Sequence, residues 1–410
     1  MSGYRRVLAV PGMAPLLGVS LLARTAITAD VTALTLYVVL SLELGYVAAG
    51  AVAAALTTGV ALGGPLLGRL IDSRGLRTAL LATLLTQAAF WLCVPLLRYE
   101  FLLVASVVAG LLMVPVQAVS RQAIAAMTRA ELRRAGFALE SVQGELSYIV
   151  GPAVVIMGAT VVSPEVVAWG VGATILAGGS GIALLDPPMR ADDEADAAPA
   201  ERLPHRRWLT GPMIAALTMA LGTTALLGGV DLAIIATLRE AGQVSWAAVV
   251  IVVFGVSSVV GGLSYGALTR PLPTWFLLGA LGLVTIPVGL ADHWPWLCVA
   301  VVASGLLTAP TLATVADAVS RLAPPGVRGE ATGLQSSAQS AGFALGAPLV
   351  GVVIDLWAPA GGFAAAGLVG LAAALFGRLL SRNSPARSLG VVEQRREDQD
   401  HDPRPGRVHR

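Results

Sequence analysis

Displaced by 195 residues, the separation of Pro115 from Pro310, this chain reads onto itself. In that register Gly110, Leu111 and Leu112 fall on Gly305, Leu306 and Leu307. Arg133, Leu139, Ser141 and Gly151 fall on Arg328, Leu334, Ser336 and Gly346, with no gap needed. Ala, Leu, Gly and Val dominate the composition, so shared proline, arginine and serine positions carry more weight than shared leucine. A repeat of nearly half the chain admits few folds, chiefly two similar halves packed against each other. The medium follows from polarity: 56% of residues are apolar, 13% are charged and mean hydropathy is +0.76. Soluble domains average roughly 45–50% apolar and about 25% charged. The expectation is an all-α, polytopic integral membrane protein.

A membrane span needs about 20 mostly apolar residues. Polar punctuation leaves twelve such runs, at 13–40, 46–68, 78–97, 101–126, 136–161, 165–186, 209–238, 244–268, 274–291, 295–319, 332–355 and 362–381. The first run follows Tyr4, Arg5 and Arg6, as a signal peptide does, but it exceeds an h-region of about 7–15 residues and reads as a retained span. Two stretches break the apolar pattern: Asp186 to Trp208, acidic then basic, and the tail from Arg382, rich in Arg, Asp, Glu and Pro. Neither carries enough apolar surface to fold alone. The chain therefore divides into a six-helix bundle at 1–186, a linker at 187–208, a second six-helix bundle at 209–381 and a disordered tail at 382–410.

The chain has no lysine, so its 27 basic residues are all arginine. They gather beside the span ends that share a side with the N-terminus, the linker and the tail. Only Arg98 and Arg239 flank the other side, and Arg24 lies inside a span. By the positive-inside rule the arginine-rich side is cytoplasmic, which places both termini inside a cell inner membrane. Trp246, Trp294, Trp296 and Trp357 fall near outer ends, where the indole suits the headgroup region. Cys93 and Cys298 sit in apolar runs and read as small buried hydrophobes.

Between the second and third runs stands GRLIDSRGLR, Gly68 to Arg77. A connection this short must turn sharply, which suits Gly68 and Gly75, while Asp72 can cap the start of span three and face nearby guanidiniums. Here the chain resembles the major facilitator superfamily, whose loop between spans two and three has Gly, Asp four residues on and Gly three later, among basic residues. Gly68, Asp72, Gly75 and Arg77 match that pattern; Ser73 departs from it where a basic residue is usual, with Arg74 displaced by one. The resemblance covers nearly the whole chain and implies twelve helices in two pseudo-symmetric halves. It also implies that Asp72, Arg74 and Arg77 act as a conformational latch, with Arg121 at the inner end of span four as a partner.

The fifth run contains Gly151-Pro152, and its image in the eleventh has Gly346, Ala347 and Pro348. Small residues let helices approach and proline permits a bend, so these positions, with Pro115 and Pro310, read as hinge or packing points. Drug and proton antiporters of the superfamily resemble this pattern at span five, although Val155 replaces a later glycine. Their arginine in span four is missing: Val104, Ala105, Ser106 and Val107 precede Gly110.

Ionisable groups at membrane depth are costly and are functional candidates. Here they are Arg24, Asp30, Glu140, Glu145 and Asp231. With span one centred near residue 27 and span five near 148, Arg24 and Glu145 both lie about 4.5 Å to the cytoplasmic side. An Arg24–Glu145 pair is expected, with Glu140 as the competitor. Asp30 and Asp231 occupy outer portions of the spans that open each half, and Gln117, Gln143, Gln335 and Gln339 are candidate cavity groups. The images of Glu140 and Glu145 are Gln335 and Ser340, so intramembrane charge is concentrated in the first half.

His205, His293, His401 and His409 form no metal spacing, and the chain shows no phosphate loop, catalytic constellation or nucleic-acid module. No cofactor is implied. These readings point to a monomeric secondary transporter of a small organic solute, working by alternating access. Proton-coupled efflux leads. Uptake of a sugar or metabolite is the alternative within the class, and a transport-inactive receptor or membrane enzyme the alternative outside it.

Overall fold

The structure, a computed structural model, describes residues 2–189, 204–268 and 272–382, and among them it is helical throughout with no strand. Eleven helices are long and apolar enough to cross a membrane: Met13–Ser41, Val47–Arg74, Leu76–Leu96, Tyr99–Met127, Glu131–Ala159 and Pro164–Leu185, then Gly211–Glu240, Val244–Gly266, Trp294–Leu322, Arg328–Leu356 and Pro359–Ser381. A shorter apolar helix, Thr274–Leu290, fills the ninth place. In chain order these are spans 1 to 12. The bundle end that carries Arg74, Arg77, Arg129, Arg133 and Arg134 is called the basic end below. Of the disordered tail expected at 382–410, Arg382 ends the last helix and residues 383–410 lie outside the described residues.

Pairings in the first half recur in the second. Span 1 packs on spans 5 and 6, as span 7 packs on 11 and 12; span 2 packs on 4 as 8 on 10, and span 3 on 6 as 9 on 12. The halves meet through span 2 against span 11 and, as its pseudo-symmetric image, span 8 against span 5. Small residues set both levels of packing. A Cβ at Gly151 would strike the Thr25 carbonyl of span 1, and one at Gly346 the Ala225 carbonyl of span 7, so these repeat positions let equivalent helix pairs touch backbone to backbone.

The four prolines behave differently. Pro152, Pro310 and Pro348 lie within continuous helices. Pro115 alone interrupts its span: one helix ends at Leu111, Pro115 has ψ 50°, and a second helix runs Val116–Met127. A proline in a helix lacks one hydrogen bond and crowds the preceding turn. At Pro115 the chain yields by breaking, and at Pro310, its repeat image, the helix stays whole.

Two expectations change at the level of packing. Cys93 is exposed and Cys298 half-buried, because an apolar run alone does not distinguish lipid-facing from core positions. The linker was expected not to fold alone; its last residues form a short helix, His205–Trp208, against the second half, where Trp208 is buried with Met213, Ala216, Val319, Ala323 and Val327. At the far end Trp246 stacks on Trp294, with centroids 4.1 Å apart, while Trp296 and Trp357 are exposed.

Candidate functional site

Three groups of polar side chains lie between the halves or at their shared edge. The deepest is a charge cluster. Arg24 of span 1 and Arg121 of span 4 both grip Glu140 of span 5: Nη1 of Arg24 is 2.5 Å from Oε1, and Nε of Arg121 is 3.2 Å from Oε2. The Glu140 side chain is fully buried and that of Arg121 nearly so. Gln117, with its amide oxygen turned to the guanidiniums, accepts from Arg24 at 3.1 Å and Arg121 at 2.8 Å. Arg121 Nη1 donates to Gln339 Oε1 at 3.0 Å, which carries the cluster across to span 11. One carboxylate faces two guanidiniums, so the cluster holds a net positive charge, offset by amide oxygens from both halves.

Arg24 therefore pairs with Glu140, the competitor, and not with Glu145. The reason is the true start of span 5. Its helix begins at Ala130, six residues before the apolar run, because Glu131, Arg133 and Arg134 are helical but too polar to register as membrane. Halfway along that helix stands Gly144, so the depth match for Arg24 moves toward the basic end. Gly144 also makes room: a Cβ there would lie 2.5 Å from Arg24 Nη2. The break at Pro115 starts a fresh helix whose second turn presents Arg121 to the same carboxylate. Arg121, expected beside the latch loop, is thus engaged by Glu140 and Gln339.

The second group lies eight residues, about 12 Å, further along span 5. Tyr148 donates its hydroxyl to Asp231 Oδ2 of span 7 at 2.7 Å and meets the Phe343 ring of span 11 edge-on, with centroids 6.1 Å apart. Glu145, one turn back, is half-buried and has Ser258, Asp231 and Arg24 within electrostatic range. Elements of both halves thus converge on two carboxylates, a phenol and an aromatic ring. Asp30 is buried elsewhere: it is 5% exposed, accepts from the Val31 amide and makes no salt bridge among the described residues.

The third group closes the basic end. Asp72, expected to cap the start of span 3, instead accepts from the Gly329 and Glu330 amides, each at 2.9 Å, and caps the start of span 11 from span 2. A carboxylate there meets unsatisfied N–H groups and the positive end of the helix dipole. Arg69 Nε lies 2.7 Å from Glu330 Oε1, and Gln122 donates to Thr332 at 2.9 Å. Span 2 can come this close because a Cβ at Gly68 would strike the Gly329 carbonyl. Gly75 has φ 84°, which glycine tolerates best, and it separates span 2 from span 3. Arg77 pairs with Asp186 at 2.9 Å within its own half, and Arg74 is exposed.

Of the four candidate glutamines, Gln117 and Gln339 belong to the charge cluster. Gln143 donates to the Leu17 carbonyl at 2.6 Å and ties span 5 to span 1. Gln335 is fully buried, and neither end of its amide has a hydrogen-bond partner. Sequence reasoning missed Tyr148, Arg69, Gln122, Glu330 and His205. Tyr148 carried a signal, since it follows Glu145 by three and so shares its helix face. Glu330 and His205 carried none, because their partners are distant in the chain.

The Major Facilitator Superfamily profile matches residues 16–291 and 212–405. The fold is similar to that of the human organic anion transporter TETRAN, at 18% identity and TM-score 0.68, covering 91% of this chain and 99% of that one. A bacterial homologue of the iron transporter ferroportin in an outward-facing state aligns at 15% identity and TM-score 0.70, over 90% and 97% of the two chains. The proton:xylose symporter XylE aligns at 14% identity and TM-score 0.67, over 88% and 94%. No curated protein sequence matches this chain.

Proposed function

Because this chain belongs to the Major Facilitator Superfamily, we propose that it is a secondary transporter that exports a small organic solute in exchange for protons. Solute and protons reach the site in turn from either side as the two halves rock. The observation that supports this most is the convergence of Tyr148, Glu145 and Asp231 from spans 5 and 7. A carboxylate that loses its partner when halves separate can take a proton in one state and release it in the other, which links proton movement to rocking. The residues divide by role. Arg24, Glu140 and Arg121 form a fixed cross-brace, since both guanidiniums hold the one carboxylate and the amide oxygens of Gln117 and Gln339 offset the remaining positive charge, while Glu145 and Asp231 carry coupling. Asp72 latches the basic end and releases when it opens.

The cytoplasmic side is the basic end, and both termini lie there in a plasma membrane. The boundaries of the halves follow the linker, at 1–186 and 209–381, and the protein acts as a monomer. The structural relatives are an organic anion transporter, a bacterial homologue of an iron transporter and a proton:xylose symporter, so they favour no substrate.

Everted vesicles with a pH-sensitive dye test this reading against a compound panel. Wild type is expected to dissipate a proton gradient when its solute is added, and Glu145→Gln to abolish that response. Asp30→Asn is expected to preserve it, because the buried Asp30 carboxylate bonds to the Val31 amide of its own span and forms no salt bridge among the described residues. A wild-type protein that moves solute with no proton signal would sink the coupling. A response carried unchanged by Glu145→Gln would sink the assignment of the site.

A further inference from the structure

Each half opens on the same five-residue pattern, which lies outside the 195-residue register. Tyr4-Arg5-Arg6-Val7-Leu8 precedes span 1 and His205-Arg206-Arg207-Trp208-Leu209 precedes span 7; the two stand 201 residues apart, the separation of Tyr4 from His205. Both form short helices at the basic end, Ser2–Leu8 and His205–Trp208. In each, the fourth residue is an anchor: Val7 is fully buried and Trp208 is 2% exposed. The first residue of each pattern reaches into the opposite half.

Tyr4 donates its hydroxyl to the Leu263 carbonyl at 2.5 Å and lies 3.4 Å from that of Gly262, both in span 8. Gly266 gives it room, because a Cβ there would collide with the phenol oxygen. Val7 packs in a cluster that joins Met13, Leu17 and Phe137 of the first half to Ala313 and Ala316 of span 10. On the other flank His205 Nε2 lies 2.7 Å from Arg69 Nη2 of span 2 and 2.7 Å from Glu330 Oε1 of span 11. One clasp thus lies across spans 5 and 8, the other across spans 2 and 11. Those are the two most extensive helix pairings between the halves.

We propose that these two segments are a symmetric pair of clasps that hold the basic end shut and must release for it to open. Tyr4 travels with the first half but is bound to the second; His205 travels with the second half and, in the tautomer that carries its proton on Nδ1, accepts through Nε2 from Arg69 of the first. Rocking the halves apart at this end breaks both contacts. Neither can stretch, since Val7 and Trp208 fix their short helices in place. The two clasps share no partner, so their effects should combine independently. The proposal rests on the alternating-access reading above, and its test separates the two.

Ser337 of span 11 supplies the reporter, because its hydroxyl oxygen is buried where span 11 faces Gly64 of span 2. Ser337→Cys is made in a Cys93→Ser, Cys298→Ser background, and a membrane-impermeant maleimide is added to the basic side in everted vesicles. Tyr4→Phe and His205→Ala are each expected to raise the labelling rate about threefold and the double variant about tenfold, the size of roughly one net hydrogen bond apiece. Asp72→Asn serves as the reference for opening. If Asp72→Asn accelerates labelling while the double variant matches wild type, the clasps hold nothing and the proposal is overturned. If neither accelerates it, the alternating-access reading fails, and the clasps with it. Should His205→Ala disturb folding, Tyr4→Phe decides alone, since it removes a single oxygen atom.

Discussion

One turn from the middle of span 5, toward the basic end, stands Glu140, clamped by Arg24 and Arg121; at its repeat image in span 11 stands Gln335, equally buried and without a partner for either end of its amide. The broken helix at Pro115 and the intact one at Pro310 differ in the same sense. The repeat conserves which helices pack, and the halves diverge in what those helices hold. The first half carries a charged brace that needs a helix break to bring Arg121 into reach. The second half is neutral at the equivalent depth and supplies Gln339 to that brace and Asp231 to Tyr148. The account is of a rigid, charged half and a plainer partner that reads it.

The largest test of that contrast is stability. Glu140→Gln leaves the buried Arg121 guanidinium and the partly buried one of Arg24 without a carboxylate and should cost about 3–5 kcal/mol. Gln335→Leu removes an unpaired amide of similar volume and should be neutral or stabilising, because a buried polar group without a partner costs about 1–3 kcal/mol. Thermal unfolding in detergent compares them; equal losses would erase the distinction between the halves. Next in size is the latch. Asp72→Asn should weaken closure of the basic end by about 1–2 kcal/mol, since the charge that caps span 11 is lost. Solute entry from that side measures it, and unchanged entry would show that the cap is merely structural.

Smaller effects sharpen the comparison between the prolines. Pro115→Ala allows span 4 to become continuous and should raise the transport barrier by about 1 kcal/mol by moving Arg121 off Glu140. Pro310→Ala should leave transport rates near those of wild type, because its helix is already whole. Rates in reconstituted vesicles decide between them. The smallest effect belongs to Arg77→Gln, whose exposed pair with Asp186 should contribute less than about 1 kcal/mol. A large loss there would place the latch within the first half and not between the halves.

Much of this was legible beforehand, for identifiable reasons. Hydropathy and the 195-residue register revealed the spans and, at Gly151 and Gly346, the residues that let equivalent helix pairs touch. Arg24, Glu140, Glu145 and Asp231 were legible because charge in an apolar run is conspicuous. What hydropathy could not deliver was the start of span 5. Its first turns are polar yet helical, so the depth of Glu145 was misjudged and Glu140 took the arginine. Contacts such as Asp72 with Gly329 or His205 with Arg69 join residues more than a hundred positions apart, and no local pattern encodes them.

The central claim is that Glu145 and Asp231 move the proton while the Arg24–Glu140–Arg121 brace does not. The direct measurement is solute counterflow and solute-driven proton movement, recorded on the same vesicles for wild type and Asp231→Asn. The account predicts that Asp231→Asn keeps counterflow, which needs only binding and rocking, and loses proton movement. Proton movement at the wild-type ratio to solute in Asp231→Asn would contradict it.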